Sequence, residues 1–396
     1  MVEAMEVKKG YKKSDVGIIP VDWEVKKLSE VGESIIGLTY SPYNVKPYGK
    51  LVLRSSNVQD GKLAFEDNVY VDMDFPSRVI VKENDILICV RNGSRRLIGK
   101  CALIDKKTAG SAFGAFMSVY RSEYSTFIFY QFQSFIIQWQ INETLGATIN
   151  QITNKDLAAF RVPLPPTKEE QATITRVLND ADALVNKLEQ LLTKKRNIKT
   201  GAMQELLKPK EDWDEKKLGE VVEINMGQSP DSNNYNSNQI GLPLLQGNAD
   251  LENRKQLIRF WTSQTTKTCD EGDLILTVRA PVGSIGIAIQ KSCIGRGVCS
   301  LKPKSVSKDF IYHLLIFKEK DWKILEQGST FTSANSNQIY GFEISIPKTK
   351  IEQTNIAQIL SDMDIEINEM ERKLEKYKMM KQGMMQSLLT GKIRLV

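Results

Sequence analysis

The chain has 396 residues, enough for two ordinary domains, and its 41% apolar and 26% charged residues are typical of a globular protein. It contains no run of roughly eighteen apolar residues and no apolar segment after its N-terminal lysines, so neither a transmembrane helix nor a secretory signal is predicted. The net charge of +6 permits nucleic-acid binding without demonstrating it, and five cysteines without a CxxC spacing favour reduced thiols in a cytosolic protein.

A basic, turn-rich lead occupies residues 1–22 and is followed by a segment that occurs twice. Trp23-Glu24-Val25-Lys26-Lys27-Leu28 recurs as Trp213-Asp214-Glu215-Lys216-Lys217-Leu218, an offset of 190 (213 minus 23). We expect each tryptophan to pack at the edge of a globular unit. The recurrence indicates that the chain is built from two similar units.

Each unit is predicted to contain short strands, and in each a buried strand leads to an arginine. The apolar run 86–90 precedes Arg91, and the run 274–278 precedes Arg279. A polar, glycine-bearing loop follows each arginine. Further along, the sequence predicts helical stretches over 127–144 and 310–327, and then final strands over 160–166 and 342–347 that end in prolines. Strands and helices that do not strictly alternate indicate an α+β unit.

The longest repeated element is a predicted helix that spans 167–207 and again 349–389. The offset is a constant 182, for instance Gln353 minus Gln171. Apolar residues in both copies alternate at spacings of four and three, which is the period of a coiled-coil seam. They are Ile174, Leu178, Ala181, Val185, Leu188 and Leu192, and Ile356, Leu360, Met363, Ile367, Met370 and Leu374. The sequence therefore predicts two helices, each about 60 Å long, that pack against each other as an antiparallel pair.

Charged residues are ordered along both predicted helices, with acids early and bases late. This order complements the helix dipole, and we interpret it first in that way. Gly201 and Gly383 occupy matching positions near the two ends. Each glycine either terminates the main helix or permits a close backbone approach.

Motifs for autonomous catalysis are missing from the sequence. It contains no phosphate-binding Gly-rich loop, no complete dinucleotide fingerprint, no Asn-Pro-Pro-aromatic methyltransferase tetrapeptide and no Gly-x-Ser-x-Gly elbow. A single histidine, His313, leaves almost no material for a zinc site or a catalytic triad. Catalysis by this chain alone is therefore the least favoured interpretation.

The paired polar loops are the best candidates for a binding site. Arginine suits guanine edges and phosphates, and serine and glycine allow close approach to phosphate, whereas amides and hydroxyls can contact base edges. Polar runs over 148–154 and 330–338 add such groups. The predicted DNA-binding residues are Arg54, Asn57, Arg91, Asn92, Ser94, Arg95, Arg96, Lys100, Thr148 and Asn150 in the first unit, and Gln246, Asn248, Arg279, Ser284, Arg296, Thr330, Ser333 and Asn335 in the second.

Duplication also predicts the form of the target. Duplex DNA has local twofold axes, so two similar but non-identical units about a pseudo-twofold would read two different half-sites. The loop after Arg91 is strongly basic, whereas the loop after Arg279 is much less so. The expected target is therefore a split sequence with an unread gap.

In this order and in a duplicated frame, several short segments carry a family resemblance. They are Tyr11-Lys12-Lys13-Ser14, Gly17-Ile18-Ile19-Pro20, Asp22-Trp23-Glu24-Val25-Lys26-Lys27-Leu28, Pro163-Leu164-Pro165-Pro166 with Glu170-Gln171, Ile346-Pro347 with Glu352-Gln353, and the run from Met384-Met385-Gln386-Ser387-Leu388-Leu389 to Arg394. On these segments the chain resembles, over nearly its whole length, the specificity (S, or HsdS) subunit of type I restriction–modification systems.

The resemblance implies two target recognition domains at 1–164 and 209–346, each followed by a long helix, at 165–208 and 347–396. It also implies that the helices form an antiparallel coiled coil that sets the gap between half-sites and docks two methylation (M) subunits. Those partners would hold S-adenosylmethionine and methylate adenine at N6, and a restriction (R) subunit using ATP and Mg²⁺ can join them. This chain itself would bind double-stranded DNA in the cytoplasm, bind no cofactor, metal or membrane, and catalyse no reaction.

Two alternatives remain open at this point. The chain could serve a related system in which one partner fuses methylase and nuclease, or it could be a coiled-coil scaffold that reads no DNA. We further expect the long helices to touch little DNA themselves, despite their basic ends.

Overall fold

The computed structural model describes residues 7–146, 150–322 and 333–395. The chain divides into two compact units: the first comprises the residues up to Lys187 together with those from Leu374 onward, and the second runs from Leu188 to Lys373. The division falls inside both long helices, which span Lys168–Leu206 and Lys350–Leu388. Each unit therefore contains part of each helix.

The first unit is built on short, mainly antiparallel strands. A four-stranded sheet has the order Cys101–Leu103, Ile86–Cys89, Met117–Arg121 and Glu33–Ile36. A second has the order Ala112–Phe113, Lys50–Leu53, Tyr70–Val71 and Val45–Lys46. Two-stranded pairs join Tyr11–Ser14 to Gly17–Pro20, Glu24–Lys27 to Arg161–Leu164, and Val58–Gln59 to Lys62–Leu63. The all-buried strand Ile86–Cys89 confirms the predicted apolar run.

The helices of this unit span Leu28–Val31, Ser125–Gln133, Phe135–Thr144 and Asn154–Ala159. The single helical stretch predicted over 127–144 is thus two helices. Ser134 separates them because its backbone is extended (φ −77°, ψ 159°) and its hydroxyl donates to the Gln131 carbonyl at 2.7 Å. The core of this unit also includes Leu178 from the first long helix and Leu389, just past the end of the second.

The second unit repeats the plan with larger sheets. One has the order Val222–Met226, Val298–Pro303, Leu274–Thr277, Ile285–Ile287, Lys255–Gln256 and Leu251–Glu252. Another has the order Tyr235–Asn236, Trp261–Thr262, Leu242–Leu245, Ser292–Ile294 and Thr268–Cys269. Asp214–Lys217 pairs with Glu343–Ile346, and helices lie at Leu218–Val221, Lys308–Phe317 and Ser336–Tyr340. Both units therefore have the mixed, non-alternating content of an α+β fold.

Both long helices start in the same way. The Thr167 hydroxyl accepts the Glu170 N–H, and the Thr349 hydroxyl accepts the Glu352 N–H, each at 3.2 Å. The buried Gln171 and Gln353 amides then donate to the carbonyls of Pro165 at 3.0 Å and Pro347 at 2.9 Å. The repeated Thr-Lys-x-Glu-Gln segment thus caps each helix and ties it to the preceding proline segment.

The order of charges along the helices also produces ion pairs between the two helices. Late bases of one helix pair with early acids of the other: Lys199 contacts Asp364 and Lys195 contacts Glu366 in the second unit, both at 2.5 Å. In the first unit Lys381 contacts Asp182 at 2.5 Å. These contacts require the helices to run antiparallel, because residues late in one meet residues early in the other.

Neither interpretation of Gly201 and Gly383 is correct. Both lie inside a continuous helix, and a Cβ added at either would meet no atom within 4 Å. No close approach requires them, and neither one ends its helix.

We therefore expect Gly201→Ala and Gly383→Ala each to stabilise the protein by about 0.8 kcal/mol, since alanine favours a helix interior over glycine. Denaturant unfolding of each variant measures this change. Gly283→Ala is the contrasting control, because its backbone has φ +93° and its Cβ would lie 2.5 Å from the Trp322 side chain. A loss of stability in either helix variant would contradict the assignment.

Candidate nucleic-acid interface

The predicted loops of each unit meet at the end of its buried central strand. Arg91 follows the strand Ile86–Cys89, and its backbone pairs with that of Gln151. Arg279 follows the strand Leu274–Thr277, and its backbone pairs with that of Ser333. In both units the strand-end arginine therefore lies beside the polar run that follows the helical segment.

Matching backbone hydrogen bonds surround these arginines in the two units. Gly114 N–H donates to Leu53 O at 3.0 Å, as Gly295 does to Leu245 at 2.7 Å. The Val90 N–H donates to the Phe116 carbonyl at 3.1 Å, and the Val278 N–H donates to the Gly297 carbonyl at 2.9 Å. The Ile152 N–H donates to the Val90 carbonyl, and the Ala334 N–H to the Val278 carbonyl, each at 2.8 Å. The loops are thus held by one common frame, in which Gly114 corresponds to Gly295.

Four predicted residues of the first unit are exposed: Arg91, Ser94, Arg95 and Arg96. The Arg91 guanidinium lies over the Phe116 ring, 5.1 Å from its centroid. Arg95 donates to the carbonyls of Asn142 at 2.9 Å and Leu145 at 3.4 Å, so it also closes the end of the helix Phe135–Thr144. Arg91 and Arg96 form no ion pair within the described residues, which leaves both charges available to a ligand.

Other predicted residues of this unit are half-buried and use their polar groups internally. Asn92 donates to the Ser55 hydroxyl at 3.2 Å, and Asn150 donates to the Gly93 carbonyl at 3.0 Å. Lys100 donates to the carbonyls of Ser55 and, at 2.8 Å, Val58. Arg54 pairs with Asp67 at 2.8 Å. These side chains therefore shape the loops.

Asn57 does not face a ligand, because its side chain is fully buried. Its oxygen accepts the Arg54 N–H at 2.9 Å, and its amide nitrogen donates to the Ala64 carbonyl at 2.9 Å. The residue with this role in the second unit is Asp250, whose carboxylate accepts the Gln246 N–H at 2.7 Å. Asn248, another of the predicted DNA-binding residues, is instead exposed.

The second unit presents Arg279, Arg296, Asn248 and Ser333 as exposed residues, with Gln246 and Ser284 half-buried. Asn335 is exposed, but its side chain accepts the Gln338 N–H at 3.0 Å and caps the helix Ser336–Tyr340. Neither arginine forms an ion pair with any residue that the structure describes. Two predicted residues, Thr148 and Thr330, lie outside the described residues.

Phe116 belongs to this surface, although sequence reasoning missed it. It lies in a short glycine-bearing loop where the sequence gives no periodic or charge signal, and only the three-dimensional frame places it beside Arg91. Its ring is 55% exposed.

Comparison with known proteins decides the family. The sequence matches the type I restriction modification DNA specificity domain twice, over residues 20–199 and again over 210–376. The two matches cover well over half of the chain. The chain belongs to the type I restriction–modification specificity family.

Curated relatives agree with this assignment. An inferred specificity subunit of the type I restriction enzyme MjaX from Methanocaldococcus jannaschii is 29% identical over 415 aligned residues, covering 97% of this chain and 97% of its own length. The EcoKI specificity subunit of Escherichia coli is 29% identical over 192 residues, covering 44% of this chain and 40% of its own length.

Solved structures share the fold of this specificity subunit. A chain solved in work on complex assembly and conformational transition of the type I R-M system has a TM-score of 0.64 at 23% identity, covering 95% of this chain and 99% of its own. The type I S subunit from M. genitalium has a TM-score of 0.61 at 16% identity, covering 92% and 96%. At sequence identities of 23% and 16%, these two structures show that the fold is shared.

One polar trio in the specificity subunit resembles a catalytic triad and lacks its geometry. His313 Nε2 lies 3.0 Å from the Ser361 hydroxyl, but its Nδ1 is 3.9 Å from Asp364, too far for a hydrogen bond. The Asp364 carboxylate is held by Lys199 instead. Burial, and then the nearby Lys199 charge, lower the pKa of His313 to about 4. The trio is a packing contact between the helix Lys308–Phe317 and the second long helix.

Among the described residues, no group of three His, Cys, Asp or Glu side chains could hold a metal ion. The same residues include no helix both long and apolar enough to cross a membrane. All five cysteines are buried.

Since Asn57 is a buried structural residue, we expect Asn57→Ala to destabilise the specificity subunit by about 1–3 kcal/mol, the usual result of leaving buried backbone groups unpaired. Asn248→Ala is the matched control and should change stability by less than about 0.5 kcal/mol, as exposed substitutions do. Thermal or denaturant unfolding distinguishes the two. Equal effects would show that the structural role assigned to Asn57 is wrong.

Proposed function

We propose that this chain is the non-catalytic DNA-reading subunit of a type I restriction–modification complex, and that each unit reads one half of a bipartite double-stranded target in the cytoplasm. The observation that carries the proposal is the repeated loop frame, which holds an exposed arginine at the same strand end in both units. Arginine side chains without acidic partners suit both phosphate oxygens and guanine edges.

The two reading surfaces differ in charge and therefore in target. The first unit gathers Arg91, Arg95, Arg96 and the half-buried Lys100, whereas the second presents Arg279 and Arg296 with amides and hydroxyls. Different side chains on one frame favour different bases at equivalent positions. The two half-sites are accordingly unlike in sequence.

The long helices fix the distance between half-sites and dock the partner subunits. Each spans 39 residues, about 58 Å at the rise of an α-helix. Leu184, Leu191 and Ile198 recur at intervals of seven on the first helix, and each is roughly 40% exposed or more. An exposed apolar line of this kind is suited to binding a partner helix.

Two methylation subunits bind these helices in the proposed complex. They supply S-adenosylmethionine and adenine N6 methylation, and a restriction subunit that uses ATP and Mg²⁺ joins them. A partner that fuses methylase and nuclease is compatible with the same surfaces, and the products of neighbouring genes identify which arrangement exists.

We expect Arg279→Ala, purified with the methylation partner, to weaken DNA binding by about 5–150-fold, the range for one base or phosphate contact. Methylome sequencing should show relaxed preference in one half-site, because only the second unit is altered. Lys291→Ala is the matched control: this exposed lysine lies near the opposite end of the central strand, since Ile287 pairs with Leu274.

Methylation without sequence preference in the unaltered complex would refute the reading function and favour a scaffold. A log–log salt slope that reports no phosphate contacts would also contradict it. Relaxation of both half-sites by Arg279→Ala would contradict the division of reading between units.

Insertion of four residues into both helices, after Lys187 and after Lys373, tests the spacing role. Four residues add about 6 Å, close to two base pairs, so the unread gap should lengthen while both half-sites stay the same. Methylome sequencing measures the gap. Insertion into one helix alone offsets pairs such as Lys199–Asp364 and should destabilise the protein instead. Altered half-sites, or an unchanged gap, would contradict the spacing role.

A further inference from the structure

An exposed aromatic ring accompanies the strand-end arginine in the first unit. Phe116 is 55% exposed, and the Arg91 guanidinium lies 5.1 Å from the ring centroid. Within the part of the chain that the structure describes, Arg91 has no acidic partner. A cation stacked on an aromatic face and otherwise unpaired is oriented by the ring while its N–H donors stay available.

The backbone holds this pair in place. The Phe116 carbonyl accepts the N–H groups of Val90 at 3.1 Å and Arg91 at 3.2 Å. The two side chains therefore start from adjacent, hydrogen-bonded backbone segments rather than from a free loop. Little conformational entropy is lost when such a pre-arranged pair meets a ligand.

The second unit cannot present an equivalent ring. In the shared frame Gly297 takes the place of Phe116, since its carbonyl accepts the Val278 N–H at 2.9 Å. A Cβ on Gly297 would lie 2.0 Å from the Gln246 carbonyl oxygen, so no side chain fits there. An arginine–aromatic pair at this strand end is thus particular to the first unit.

Resting on the proposed function, we infer that Arg91 and Phe116 act as one specificity-determining element in the first half-site. Arg91 donates to the O6 and N7 atoms of a guanine, and the Phe116 ring edge contacts the C5 methyl of a thymine in an adjacent base pair. The thymine methyl is the apolar feature of the major groove, and phenylalanine is one of the side chains that contacts it.

An alternative for an exposed phenylalanine is insertion as a wedge between two base pairs. A wedge needs both ring faces free to stack on the separated bases. Here the Arg91 guanidinium already covers one face of Phe116. The contact left to the ring is through its edge and its open face, which favours the methyl group.

The experiment uses the complex with its methylation partner and begins by mapping the wild-type target. The thymine beside the guanine of the first half-site is then replaced by deoxyuridine, which lacks only the methyl group. We expect this replacement to weaken wild-type binding about fourfold, the usual effect of losing one buried methyl group. Binding by Phe116→Ala should be insensitive to it.

Phe260→Ala provides the matched control. It also removes an exposed phenylalanine that lies beside an arginine, since Arg259 is 5.6 Å from that ring, but Phe260 belongs to the second unit. It should keep the wild-type response to deoxyuridine in the first half-site. Arg91→Lys should relax the preference for guanine, because lysine lacks the bidentate fork.

The outcomes separate this inference from the proposed function. A bipartite target whose first half-site has no A·T pair beside a G·C pair overturns the inference, as does wild-type binding that ignores deoxyuridine. Sensitivity that persists in Phe116→Ala also overturns it, and in each case the proposed function stands. Methylation without any sequence preference removes the proposed function and this inference together.

Discussion

Each unit closes its core on parts of both long helices, and the rest of the structure depends on that arrangement. In the first unit Leu178 and Leu388 belong to one buried cluster, and in the second Met203 and Leu360 belong to another. The segments that meet are far apart in sequence: the first unit combines two separate stretches of chain, and the second closes the two ends of the stretch Leu188–Lys373 on each other. Because burial of apolar surface supplies much of the stability, the fold of each unit depends on residues from both helix segments.

Opposite charges specify the direction in which the helices pair. Both helices carry acids early and bases late, so an antiparallel arrangement brings opposite charges together. The contacts Lys199–Asp364 and Lys381–Asp182 are of this attractive kind. Surface ion pairs contribute little free energy individually. These ion pairs instead favour the antiparallel direction of the two helices, since a parallel pair would place like charges side by side.

The sequence allowed the repeated elements to be predicted and left their environment undetermined. Strand Ile86–Cys89 and both long helices follow from local apolar patterns, which depend on neighbouring residues alone. The burial of Asn57, the correspondence of Gly114 with Gly295 and the position of Phe116 depend on contacts between distant segments. The break at Ser134 was missed because no proline or glycine marks it.

The basic residues of the helices and those of the loops differ in whether an acidic side chain pairs with them. Lys195, Lys199 and Lys381 are late bases of the helices, and each is already neutralised by an acid of the other helix. Arg91, Arg96, Arg279 and Arg296 are exposed, and none forms an ion pair within the described residues. Release of counterions from DNA favours cations that lack an internal partner, so under the proposed function the loop arginines would contribute more to binding than these lysines. These three lysines therefore serve the pairing of the helices, whereas the unpaired arginines lie on the loops.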